Sequence, residues 1–94
     1  MGWTAALRTR GSVAELRRVI AVEAVCAAQA LDLRESATGL SAGPGTRALR
    51  DSLRARVAHL DVDRFLAPDL AAAEAWLASP EWSAGAEAAV GELL

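Results

Sequence analysis

Val19 to Arg34 reads VIAVEAVCAAQALDLR, and this stretch decides the fold. Val13, Leu16, Ile20, Ala24, Ala27 and Leu31 form one apolar stripe at helical spacing, and Val19, Val22, Cys26, Ala30 and Leu33 form a second. Such spacing is that of an α-helix. The two stripes face different ways, so the helix is apolar nearly all round between Val19 and Leu31. A helix of that kind is buried in a larger bundle or crosses a membrane. Glu23 interrupts the run, which is also shorter than the ~20 residues a bilayer requires. Upstream, Gly11 and a Ser12–Glu15 capping box mark a start, which places the helix at about residues 12–33.

Outward from it, Glu35 to Gly45 (ESATGLSAGPG) reads as a flexible loop, because its glycines and proline disfavour helix. Thr46 caps a second helix, about 46–60, with Leu49, Leu53, Val57 and Leu60 on its apolar face. Arg47, Arg50, Arg54 and Arg56 line its other side. His59 to Leu66 (HLDVDRFL) is a turn. Pro68 at a first helical position and Asp69 near the positive end start a third helix, about 68–78, presenting Leu70, Ala73, Trp76 and Leu77. Ser79-Pro80-Glu81 starts a last one, about 80–93, carrying Trp82, Ala86, Ala89, Val90 and Leu93. The expectation is an all-α chain, a single helical segment over 1–94: one long apolar helix plus two or three shorter ones, part of a helical bundle.

Composition narrows the function. Hydrophobic residues make up 53% of the 94, but about a quarter of the chain is alanine and aromatics are only 4%, so the core must be thin. All ten basic residues are arginine and the net charge is −2, which argues against nucleic acid as a partner. The single cysteine, Cys26, allows no internal disulfide and suits a reducing compartment. The N-terminus lacks the order of a signal peptide, and a cytoplasmic location is expected.

The residues offer little catalytic chemistry. His59 is the only histidine, and no serine or cysteine lies in a nucleophile motif. Cys26 reads as a buried, inert thiol in the middle of the apolar helix. Asp61 and Asp63 alternate, but no third ligand follows at calcium-loop spacing. Glu23 stands out, since a carboxylate on an apolar helix requires a partner; an arginine such as Arg17 or Arg18 of a neighbouring chain, or a local backbone donor, is the natural one. Gln29 reads as a helix–helix hydrogen-bonding residue and His59 as a structural donor. No catalytic, cofactor-binding or metal residue is assigned.

Three stretches, in order, carry a resemblance. Met1-Gly2-Trp3 with Ala5-Ala6-Leu7 is one. Val19 to Glu23 followed by Cys26-Ala27-Ala28-Gln29-Ala30-Leu31-Asp32-Leu33-Arg34 is the second, and Asp61, Asp63-Arg64-Phe65 and Ala67-Pro68-Asp69 form the third. Together they resemble the C-terminal part of the aromatic amino acid ammonia-lyase family, nearest to its histidine ammonia-lyase branch. The glycine-rich loop at 35–45 departs from the family's pattern.

The resemblance implies a mostly helical homotetramer that eliminates ammonia from an L-amino acid, in histidine catabolism for the nearest branch. It also implies a methylidene-imidazolone electrophile made from an internal Ala-Ser-Gly, a tyrosine base, and a carboxylate in a motif just before Met1. This chain has no Ala-Ser-Gly and no tyrosine. The expectation is therefore a lyase segment without an active site of its own: a fragment, a truncated product, or half of a split enzyme. Glu23, Gln29, Asp32, Arg34, Asp63, Arg64 and Asp69 are its structural or interface candidates. Self-association or a complementary lyase chain is the expected partner. The alternative is a non-catalytic helical interaction module derived from the lyase.

Overall fold

Alanine, leucine and arginine dominate the first forty residues, and these are the strongest helix formers. The computed structural model, which describes residues 2–91, accordingly opens on one uninterrupted helix, α1, Gly2–Thr38. Gly11 does not break it, and the Ser12–Glu15 capping box is not used. A glycine inside a helix costs only about 1 kcal/mol, and its neighbours on both sides favour helix. Thr9 Oγ1 donates back to the Ala5 carbonyl at 2.9 Å across the same region. At the other end α1 outruns the expected Leu33 and stops where Gly39 takes φ +71°, a left-handed conformation that suits glycine at a helix C-terminus. A helix of 37 residues at 1.5 Å per residue is about 55 Å long, and 55 Å is the longest dimension of the molecule.

Three shorter helices follow: α2, Pro44–Arg54; α3, Ala67–Ala78; and α4, Glu81–Val90. No strand occurs among the described residues. The chain is all-α, as expected. Prolines open α2 and α3 within their first turns. The second helix ends near Arg54 rather than at Leu60, because the following residues are drawn into a loop by side chains of α1 described below. Leu93, expected on the last helix, lies outside the described residues. α4 itself stops at Gly91, whose φ is +92°.

The helices pack as two pairs, α1 on α3 and α2 on α4, with smaller contacts between α3 and α4 and between α1 and α2. Small residues allow the α2–α4 approach: a Cβ on Gly45 would stand 3.1 Å from Val90 Cγ1. Among the described residues the buried set is Ala21, Ala28, Leu53, Val57, Ala73, Trp76 and Ala86, four of them alanines. Trp76 is therefore the one large anchor, and its indole Nε1 donates to Ser52 Oγ at 2.8 Å.

The burial expected of the long helix, inside a larger bundle, is not supplied by this chain. α1 is buried within this chain only at Ala21 and Ala28, and every described residue from Gly2 to Ile20 is exposed. Helices as short as α2, α3 and α4 cover only the C-terminal half of a 37-residue rod. The N-terminal half projects as a bare arm. Cys26, expected to be buried, is exposed on the free face.

Candidate functional site

The C-terminal half of α1 carries three polar side chains one turn apart, Gln29, Asp32 and Glu35, on the side that meets α2 and the loop after it. Spacing of three keeps them neighbours on a helix surface. Arg50 and Arg54, four apart on α2, face them by the same rule.

Asp32 is the centre. Its Oδ2 accepts from Arg54 Nη2 at 2.7 Å and Nε at 3.0 Å, and from His59 Nδ1 at 2.9 Å. Its Oδ1 lies 3.4 Å from Arg50 Nη1. A carboxylate only accepts, so the ring hydrogen of His59 sits on Nδ1. His59 Nε2 is then left facing Gln29 Nε2 at 3.4 Å and Asp61 Oδ1 at 3.7 Å. Gln29 pairs with the backbone of Leu60 in both directions: its Nε2 donates to the Leu60 carbonyl at 3.0 Å, and its Oε1 accepts from the Leu60 N–H at 3.1 Å. That pair of bonds imitates a strand partner and pulls residues 58–60 out of helix, which is why α2 ends early. Arg54 also reaches Gln29 Oε1 at 3.3 Å and the Val57 carbonyl at 3.2 Å. Glu35 is held by Arg50 and by the Ala42 N–H at 2.7 Å.

A second clamp adjoins the first. Arg64 donates to Asp69 Oδ2 at 2.9 Å, to the His59 carbonyl at 3.0 Å and to the Ala58 carbonyl at 2.8 Å. The two sequence-remote stretches singled out above, Gln29–Asp32 and Arg64–Asp69, thus meet across one loop. Gln29 serves that loop and, through Arg54 of α2, also makes the helix–helix hydrogen bond expected of it. Three other candidates stand apart. Glu23 is exposed and makes no ion pair among the described residues, so the partner expected for it is not supplied by this chain. Arg34 is exposed, as is Asp63 on the loop. Sequence reasoning missed Arg54, Arg50 and Glu35. The four-residue spacing of Arg50 and Arg54 was the available signal, but arginines on a polar face are ordinarily solvated.

Electrostatics follow from the contacts. Burial pushes the Asp32 carboxyl up, but the hydrogen bonds from His59 and Arg54 and the charges of Arg54 and Arg50 outweigh it and hold it below its ordinary value. The Ala42 N–H and then Arg50 depress Glu35. The hydrogen bond to Glu35 chiefly raises Arg50. A carboxyl depressed in the folded state contributes stability that is present above its unfolded pKa and is lost as pH falls through the folded one. Stability is therefore expected to be flat above about pH 5 and to fall below about pH 4. Denaturant midpoints across about pH 3–6 check this, and Asp32→Asn is expected to flatten part of the fall.

Chemically the arrangement is a brace. No buried side-chain nitrogen or oxygen among the described residues lacks a partner. His59 has a carboxylate on one nitrogen, but no serine, threonine or cysteine hydroxyl or thiol hydrogen-bonds to the other among the described residues. No group of three or more His, Cys, Asp or Glu is placed to hold a metal ion among the described residues. An apolar cavity of about 340 Å³ lies between α1 and the loop, lined by Val25, Cys26, Leu33, Leu60 and Leu66 among others.

Comparison with known proteins agrees with the three sequence stretches. A family model described as aromatic amino acid lyase matches residues 1–55. A histidine ammonia-lyase of Streptomyces coelicolor is 45% identical over 94 residues, covering 99% of this chain and 18% of that protein. One from Symbiobacterium thermophilum is 44% identical over 93 residues, with the same shares. One from Salmonella arizonae is 47% identical over 76 residues, 81% of this chain and 13% of that protein. The chain thus spans less than a fifth of the length of the curated relatives it matches. No solved structure matches it.

Proposed function

This chain belongs to the aromatic amino acid lyase family, and from that membership we propose that it is the C-terminal helical part of a histidine ammonia-lyase-like assembly, supplying structure and no catalytic group. The parent reaction would be elimination of ammonia from an L-amino acid, L-histidine by the names of its relatives, as a step of histidine catabolism. The observation that carries the reading is the pairing of near-complete coverage of this chain with so small a share of each relative.

The residues present do not fit the family's methylidene-imidazolone group. The sequence holds no Ala-Ser-Gly from which that ring would form, and no tyrosine to act as base. The polar brace, whose buried groups are all paired among the described residues, offers no substitute. In this reading the active-site groups come from lyase residues outside this sequence, a complementary lyase chain being the expected partner. No described helix is long and apolar enough to cross a membrane. The location in this reading is the cytoplasm, which suits a chain whose one thiol stands exposed.

The isolated chain is expected to produce no urocanate from L-histidine above a buffer control, since positioning alone replaces neither electrophile nor base. Mixed with a separately expressed upstream lyase piece that contains Ala-Ser-Gly, it is expected to support deamination. Urocanate formation by the pure chain would overturn the reading. A second reading, a non-catalytic module that self-associates, draws support from the bare arm of α1, on which Trp3, Leu7, Val13, Leu16 and Val19 are all exposed.

A further inference from the structure

Between α2 and α3 the chain runs Leu60-Asp61-Val62-Asp63-Arg64-Phe65-Leu66, and both ends of this loop are pinned. Gln29 bonds Leu60 in both directions, and Arg64 holds the carbonyls of Ala58 and His59 together with Asp69. At the far end the Leu70 N–H donates to the Leu66 carbonyl at 2.9 Å, which ties the loop to the first turn of α3. The loop is set in one shape before anything meets it.

That shape is inverted for a surface loop. Arg64 folds back onto the loop's own carbonyls, whereas its neighbour Phe65 is 80% exposed and Val62 is 75% exposed. A lone exposed apolar side chain is ordinary on a protein surface. Here an arginine takes the inner place and the aromatic ring beside it the outer one, so the loop forgoes burial of its largest apolar group. An aromatic presented on a pinned loop needs little ordering on contact, and such residues are enriched at the cores of interfaces. Charge marks the rest of the patch. Asp61 and Asp63 flank Val62; Asp61 faces only His59 Nε2 at 3.7 Å, and Asp63 is exposed with no ion pair among the described residues.

We propose that the loop Asp61–Phe65 is the docking element through which this chain engages the complementary lyase chain, Phe65 and Val62 seating in an apolar recess with a basic rim. It rests on the reading of this chain as part of a lyase assembly and names the surface that joins it. Charge decides among occupants. The two carboxylates repel an anionic lipid surface. They also repel the body of a second copy, whose residues 39–91 carry seven acidic side chains against five arginines. A basic rim on a protein partner meets them favourably.

The probe is a separately expressed upstream lyase piece that contains Ala-Ser-Gly and is folded by circular dichroism, titrated with the intact chain. Phe65→Ala is expected to weaken association at least tenfold and Val62→Ala severalfold. The helical signal of the free chain is expected to stay unchanged, since neither side chain is buried within it. Phe65→Leu, which keeps apolar bulk, is expected to recover most of the loss. Asp63→Asn is expected to lessen the weakening of association by salt. Association that ignores Phe65→Ala overturns the docking loop and leaves the assembly reading standing. No association of the unaltered chain with that piece overturns both. Self-association of this chain, or its retention on phosphatidylcholine vesicles, that Phe65→Ala abolishes would give the loop to another occupant and overturn the partner proposed.

Discussion

Replacing Asp32 with alanine is expected to destabilise the protein by about 3 kcal/mol, the range for removing one member of a desolvated ion pair. Three donors lose their acceptor at once: Arg54, His59 and, at longer range, Arg50. Arg54 is the costly orphan, since its side chain is only 17% exposed and no other carboxylate lies within reach among the described residues. The loop at 58–60 would keep Gln29 but lose the anchor on His59. Asp32→Asn preserves shape and one acceptor, and about half of that loss is expected. A double-mutant cycle with Arg54→Ala isolates the pair, with a coupling of about 1–2 kcal/mol, read as a shift in denaturant midpoint at constant slope. Additivity of the two single changes would show that Asp32 and Arg54 act independently.

Trp76→Ala is expected to cost at least as much, about 3–5 kcal/mol. Most of the buried set is alanine, which fills little space, so Trp76 supplies a disproportionate share of the apolar area that joins α1, α2 and α3. No larger neighbour stands ready to collapse into the void. Trp76→Phe retains an aromatic ring and loses chiefly the bond to Ser52, and about 1 kcal/mol is expected. Trp3 and Trp82 are both more exposed, so the blue component of tryptophan emission is expected to vanish with Trp76 and to report on the variant directly.

The class of fold was legible because alanine, leucine and arginine leave few alternatives to helix, and because Pro68 and the Pro80 region punctuate it. The family was legible from three short stretches. Helix ends were not. Gly11 and Ser12 look like a boundary only when local signals are read without the strong helix formers on either side. The end of α2 is set by Gln29, far away along the chain, and no local pattern announces it. The site was half legible: Gln29, Asp32, Arg64 and Asp69 stood out, whereas Arg50, Arg54 and Glu35 did not. Which arginine on a polar face finds a carboxylate depends on how two helices cross. Glu23 shows the other limit of such reading. Its surroundings in sequence are apolar, and burial was inferred from them, but burial requires a second element to arrive and no described part of the chain does so there.

The bare arm of α1 also fixes what a melting curve of this protein means. Residues 2–20 have little beyond the free energy of an isolated alanine- and arginine-rich helix, close to zero at that length. Residues 21–38 belong to the braced body and open only with it. A single helix therefore spans two cooperative units, and its amides should differ in exchange rate by orders of magnitude from one end to the other. Far-ultraviolet signal lost on gentle warming would report the arm, and a free energy fitted to it as one transition would describe neither half. The two-state quantity belongs to the packed helices alone.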